Sequence, residues 1–167
     1  MRKVLTFIAA VVLLSGCIKE KPTGADLQFG DMLPDFEVVM NDGVVMNDEI
    51  LKEGISVVMF FHTSCPDCQQ VLPVMQRIYD EYSSKNIFFC LISREESKNS
   101  IDDYWKANSF NMPYSAQDDR DIYQKFAKER IPRVYLNEKG GTIRYVFTDN
   151  PNPVYDDIKT SLESLIR

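Results

Sequence analysis

Phe60-Phe61-His62-Thr63-Ser64-Cys65-Pro66-Asp67-Cys68 joins two hydrophobic patterns of different period. Before it, Ile55 to Phe61 is apolar without alternation and rich in β-branched and aromatic residues, the pattern of a strand covered on both faces. After it, Val71, Met75, Ile78 and Tyr82 recur at spacings of four, three and four, with Leu72 and Tyr79 widening the stripe, as on one face of a helix. The two cysteines therefore fall where a buried strand hands over to the first turn of a helix. Backbone N–H groups at a helix start lack intrahelical partners, and the macrodipole is positive there. Both favour a thiolate, which is the nucleophilic form of cysteine. Cys65, at the helix start and partly exposed, is the expected attacking sulfur. Cys68, one turn in and more buried, is the expected resolving one.

Two other readings of the pair fare worse. A zinc site needs two further ligands. His62, the one histidine, lies too close in sequence to complete a site easily, and Cys90 lies inside another apolar run, so no metal is expected. A structural disulfide across two residues gains little, because the benefit grows with the length of the closed loop.

Pro66 suits the first helical turn, where its missing N–H has no partner to lose. Asp67 favours the positive helix end, yet as a negative charge beside the thiols it opposes their ionisation. Pro73, inside the helical pattern, removes one main-chain bond and predicts a kink.

Toward the N-terminus, Arg2 and Lys3 precede an apolar run, Val4 to Leu14, that is too short to span a bilayer. Residues 1–16 are expected to be an export signal. Their end, Leu14-Ser15-Gly16-Cys17, resembles the lipobox of bacterial lipoproteins, and by that resemblance Cys17 becomes the lipidated N-terminus. Attachment through more than one acyl chain is enough for stable anchoring. Residues 17–30 are expected to form the lipid attachment and a polar tether containing Pro22 and Gly24. Residues 31–167 are expected to form a single domain.

Removing residues 1–16 from the 167 takes two of the 19 basic residues and none of the 25 acidic ones, so the net charge moves from −6 to −8. Such a chain is a poor partner for nucleic acid. Export places the cysteines where disulfides persist. With Cys17 lipidated, three thiols remain, and Cys90 is the odd one, explained by burial.

The rest of the domain reads in order. Phe36 to Met40 and Val44 to Met46 flank Asn41-Asp42-Gly43, a hairpin signal. Asp48 to Glu53 suits a short helical turn. Ile87 to Ile92 is a second continuous apolar run; with the first strand and the intervening helix it makes a β-α-β unit with parallel strands and a right-handed crossover. Ser100 to Ala107 is predicted as a helix capped by Ser100, Met112 to Ser115 as a short strand, and Asp119 to Lys128 as a helix. Ile131-Pro132 precedes a strand at Val134 to Leu136. That strand turns at Glu138 to Gly141 and returns as Ile143 to Phe147. Asn152 and Pro153 read as the cap and first residue of a terminal helix with Val154, Ile158, Leu162 and Leu165 on its buried side.

In this order the motifs resemble the thioredoxin-like thiol–disulfide oxidoreductases, in particular the exported, membrane-anchored TlpA/ResA type. The resemblance runs from about Leu33 to the C-terminus. It rests on Pro34-Asp35-Phe36 opening the hairpin, the strand, loop and helix around Cys65 and Cys68, Pro73 within that helix, and Ile131-Pro132 before a β-hairpin and final helix. It implies an α/β fold with a central mixed sheet flanked by helices and an N-terminal β-hairpin. It also implies that Pro132 is cis and faces the cysteines, and that the Ile131 backbone pairs with bound substrate. No cofactor is implied. The expected partners are protein or small-molecule disulfides and thiols, a membrane protein that donates electrons, and the membrane itself through Cys17. The expected location is the bacterial cell envelope, facing the periplasm or exterior.

Two departures from that family pattern matter. Ser64 stands where many relatives carry tryptophan, removing an apolar wall beside the first cysteine. Met59 stands where cytosolic thioredoxins bury an acidic residue, leaving His62 as the tempting substitute proton acceptor. Two rival functions stay open on sequence: a peroxidase, although His62 stands where peroxiredoxins have threonine, and a non-enzymatic metal-binding or docking module on the same fold.

Overall fold

The computed structural model describes residues 26–167, so the export signal, Cys17 and most of the expected tether lie outside the described residues. The packed chain starts ahead of Asp31. Leu27 is buried in the core and its N–H donates to the Phe126 carbonyl, while Asp26 pairs with the buried guanidinium of Arg133.

Two strands, β1 (Glu37–Val39) and β2 (Val45–Asn47), form the expected antiparallel hairpin as a small separate sheet. Gly43 supplies the turn with φ of 86°, a left-handed conformation that costs a glycine little. Asn47 caps the short helix α1 (Asp48–Lys52) by accepting from the Ile50 N–H at 3.0 Å.

The main sheet has five strands: β3 (Ile55–Phe61), β4 (Ile87–Ser93), β5 (Tyr114–Ser115), β6 (Arg133–Asn137) and β7 (Ile143–Phe147), in the order β5-β4-β3-β6-β7. β3, β4 and β5 run parallel, and β6 and β7 are antiparallel to their neighbours. The sheet is thus mixed, with β3 at its centre. Val57 to Phe61 are fully buried, which is why β3 shows no polar alternation.

Successive residues of a strand point to opposite faces, and Phe60 and Phe61 separate the two layers. Phe61 packs on Trp105 of α3 (Lys98–Asn108). On the same face, Phe89 packs on Tyr79 of α2 (Pro66–Tyr82), which also contacts α5 (Tyr155–Ile166). Phe60 meets Tyr123 of α4 (Asp121–Gln124), together with Phe126 and Tyr135, on the other face. These aromatic contacts lock the sheet between its helical layers just behind the Cys65 loop.

Three local expectations give way to tertiary contacts. The cap of α3 is Ser97, not Ser100: the Ser97 hydroxyl meets the Ser100 N–H at 3.5 Å and the Ser100 hydroxyl at 3.1 Å. The segment Asp119 to Lys128 contains only one helical turn. Tyr123 and Phe126 turn inward against Phe60, Ala127 is buried after them, and the Tyr123 hydroxyl donates to the Arg130 carbonyl at 2.6 Å, so the chain bends instead of continuing as a helix. The terminal helix begins at Tyr155 and Val154 is exposed, while Asn152 is engaged elsewhere. Helix α2, by contrast, continues through Pro73 to Tyr82.

Candidate active site

Cys65 is the N-cap of α2, in extended backbone conformation, and its sulfur accepts the Cys68 N–H at 3.3 Å. The sulfur thus occupies the place that a serine or aspartate oxygen takes at most helix starts. Pro66 follows as the first helical residue, where it forfeits no bond. The Cys65 thiol also points across a gap to the Ile131 carbonyl, 3.6 Å away. Ile131-Pro132 is a cis peptide, and both residues are buried. Sequence positions 65 and 131 are therefore brought face to face.

Cys65 is half-buried and Cys68 fully buried, both as free thiols. Burial pushes the Cys68 thiol well above the ordinary cysteine range, and its hydrogen bond with Cys65 adds to this. The His62 backbone and the nearby positive charge of Arg94 pull the other way. Cys68 is thus a protonated sulfur held behind an accessible one. Cys90, also fully buried, lies on β4 and is pushed up by burial alone.

The loop between β3 and α2 is tied down from several directions. The Cys65 N–H donates to the His62 carbonyl at 3.1 Å, and Gln69 Nε2 donates to the Thr63 carbonyl at 2.8 Å. The Arg94 N–H donates to the Phe61 carbonyl at 2.8 Å. The strongest tie comes from Glu96, which is only 6% exposed. One carboxylate oxygen accepts the Thr63 N–H at 2.8 Å and the other accepts the Thr63 hydroxyl. A charged acceptor makes such bonds stronger than neutral ones.

His62 is half-buried and serves this loop. Its Nδ1 accepts the Ser64 N–H at 3.1 Å and lies 2.9 Å from the Ser64 hydroxyl and 3.7 Å from a Glu96 oxygen. Asp67 is held by Asn152, whose Nδ2 donates to Asp67 Oδ1 at 2.9 Å and lies 3.4 Å from Gln70 Oε1. Asn152 therefore clamps the first turn of α2 and does not cap α5. There, Asp157 accepts the Val154 N–H at 3.1 Å.

Met59, six positions before Cys65, is fully buried in the apolar core. The buried carboxylate beside the loop enters instead with Glu96, from the segment after β4. Sequence reasoning missed Glu96, Arg94 and Asn152. A signal existed for the first two: Arg94-Glu95-Glu96 follows the carboxyl end of a parallel strand, where α/β sheets gather their functional residues.

A groove of about 470 Å³ opens beside Cys65, lined by His62, Ser64, Cys65, Pro66, Arg94, Glu95, Arg120, Arg130 and Ile131. A disulfide entering it meets Cys65 first, with Cys68 one helical turn behind. This arrangement suits thiol–disulfide exchange, in which one thiolate attacks and a second displaces it.

Residues 29–146 match the model of the AhpC/TSA family. Sporulation thiol-disulfide oxidoreductase A of Bacillus subtilis (strain 168) is 29% identical over 96 residues, covering 54% of this chain but only 58% of that relative. Thiol-disulfide oxidoreductase ResA of Oceanobacillus iheyensis is 20% identical over 148 residues, covering 86% of this chain and 77% of that one. Among solved structures, a thioredoxin-family thiol:disulfide interchange protein from Chlorobium tepidum TLS superposes with a TM-score of 0.71 at 21% identity, covering 86% of this chain and all of that one. StoA from Bacillus subtilis superposes at 0.66 with 18% identity, covering 77% of this chain and 96% of that one. At these identities the structural likenesses establish the thioredoxin-like fold. The chain belongs to the AhpC/TSA family, as a thioredoxin-like domain whose relatives include thiol–disulfide oxidoreductases of ResA and StoA type.

Proposed function

We propose that this protein is a lipid-anchored, extracytoplasmic thiol–disulfide oxidoreductase that reduces disulfides with Cys65 and Cys68. The observation that carries this reading is the half-buried Cys65 sulfur, which caps a helix, faces the Ile131 carbonyl and has the buried Cys68 thiol behind it. Cys65 attacks one sulfur of the substrate, a Cys65–substrate disulfide forms, and the other substrate sulfur leaves as thiolate. Cys68 then attacks the Cys65 sulfur, and the first substrate sulfur leaves in turn. Two electrons pass from the dithiol to the substrate, and the protons shed by Cys65 and Cys68 end on the released thiols. The resulting Cys65–Cys68 disulfide is reduced by a membrane protein presenting its own dithiol.

In this reading Ile131 lends its backbone to the bound substrate, and Pro132 fixes that backbone opposite Cys65. Asp67 and His62 act on the loop and first helical turn, not as proton acceptors. Residues 1–16 export the chain. Residues 17–30 attach it through lipid on Cys17 and form a tether whose last residues dock on the domain, and residues 31–167 form the catalytic unit on the outer side of the membrane.

The test is reduction of insulin by the purified protein with dithiothreitol as donor. Wild-type turnover by Cys65→Ser would defeat the mechanism. Peroxide consumption at a comparable rate, lost in the same variant, would favour a peroxidase.

A further inference from the structure

The protein is acidic overall, with a net charge of −6, yet the groove beside Cys65 has three guanidinium groups and one carboxylate on its walls. The three arginines differ in how far they are matched. Arg120 Nε lies 2.5 Å from Glu95 Oε2, and both groups remain exposed. Arg130 Nη1 lies 3.7 Å from Asp149 Oδ1, with most of its side chain in solvent. Arg94 is half-buried, takes part in no ion pair among the described residues, and rests 5.3 Å over the Tyr123 ring. Its Nε is buried with no hydrogen-bond partner. Arg94 also lines the groove, and a carboxylate is the acceptor that a planar guanidinium fork fits best.

We propose that this groove selects disulfides flanked by carboxylate groups, with Arg94 as the principal contact and Arg120 and Arg130 as supporting charges. The proposal rests on the reductase reading above and names its substrate class. Arg130 adjoins Ile131 in the chain, so a peptide lying along the Ile131 backbone passes it. Ser64, a small side chain in the groove wall beside Cys65, leaves that approach open. The same positive rim attracts anionic substrates from solution and repels cationic ones, and salt weakens both effects. An acidic cystine peptide and a small carboxylate-bearing disulfide offer the same chemistry, and they are separated by experiment.

The measurement is the second-order rate at which each disulfide oxidises the pre-reduced full-length protein in detergent, read as closure of the Cys65–Cys68 bond by mass spectrometry. Three peptides identical except for Glu, Gln or Lys on either side of a disulfide are compared. Each rate is normalised to reduction of the same peptide by 2-mercaptoethanol. At low salt the Glu peptide is expected to exceed the Lys peptide by about tenfold or more, with Gln between, and the ratio shrinks as ionic strength rises. In the Arg94→Gln, Arg120→Gln, Arg130→Gln triple variant the Glu-to-Lys ratio falls toward one, whereas Arg94→Lys alone retains part of it. Arg120 and Arg130 are exposed, so their double variant gives a reduced ratio should Arg94→Gln fail to fold.

Glutathione disulfide reacting faster than its ethyl ester supports a site open to small disulfides. Equal rates there, with a graded peptide series, support a peptide substrate. Equal normalised rates for all three peptides overturn the proposal and leave the reductase reading standing. A preference that survives the triple variant overturns it as well. Oxidation by none of the disulfides removes the reductase reading and the proposal together.

Discussion

Replacing Glu96 tests the claim that a buried carboxylate holds the active-site loop. Glu96 and Thr63 are both buried, and the carboxylate accepts the Thr63 N–H at 2.8 Å and the Thr63 hydroxyl. Glu96→Ala leaves two buried donors without an acceptor, each costing about 1–3 kcal/mol. The expected loss is about 2–6 kcal/mol, a large share of the roughly 5–15 kcal/mol that keeps a domain folded. For a chain of this size that corresponds to a melting temperature lower by roughly 5–15 °C. Glu96→Gln keeps one carbonyl to accept from Thr63 and an amide that donates to its hydroxyl, so its loss is expected near 1 kcal/mol. Urea titrations followed by circular dichroism, under reducing conditions, give both values. Thr63→Val supplies the double-mutant cycle, in which the hydroxyl part of the loss in Glu96→Ala disappears. If Glu96→Ala unfolds within about 0.5 kcal/mol of wild type, the carboxylate is not holding the loop.

Three further outcomes are expected. Cys68→Ser should accumulate a Cys65–substrate mixed disulfide visible by non-reducing electrophoresis, since the attack that would resolve it is lost; Cys65→Ser should trap none. Under reducing conditions stability should fall as pH rises above about 9, because the unfolded chain sheds the Cys68 and Cys90 protons there while burial retains them in the folded state. The slope is about 1.4 kcal/mol per pH unit for each thiol, and Cys90→Ala should remove one share, as pH-dependent urea titrations would register. Asn152→Ala should cost about 1–2 kcal/mol by the same titrations through loss of its bond to Asp67, whereas a residue acting only as a helix cap would leave the Asp67→Asn background equally sensitive.

The elements nearest Cys65 were readable because local and global preferences agree there. The continuous apolar run of β3, the proline at the helix start and the stripe of α2 all favour the geometry that forms. Reading failed where a residue is claimed from elsewhere in the fold. Asn152 has the chemistry of a cap but is taken by Asp67, 85 positions earlier. Ser97 and Ser100 are equally good caps by type, and the choice between them is made by how α3 lays Ile101 and Trp105 into the core. The segment after Asp119 has helical spacing, but covering Phe60 and reaching Arg130 bends it after one turn. Glu96 and Arg94 flank Glu95 in a charged stretch with no local pattern that assigns them a role. Only the crossing of β4 beside β3 brings them to the loop, 33 positions from Thr63 in the case of Glu96.

Cys90 sits fully enclosed in the middle of β4, opposite Val58 on the neighbouring strand. Among the described residues it is a third thiol, and a third thiol is a hazard to a protein that handles disulfides, since it invites scrambled pairings. Here the hazard is met by insulation: encased in hydrocarbon and kept protonated, Cys90 can neither strike a mixed disulfide at Cys65 nor be struck. In the proposed exchange the two reactive sulfurs would thus cycle as a closed couple, with the bystander kept out by its place in the sheet.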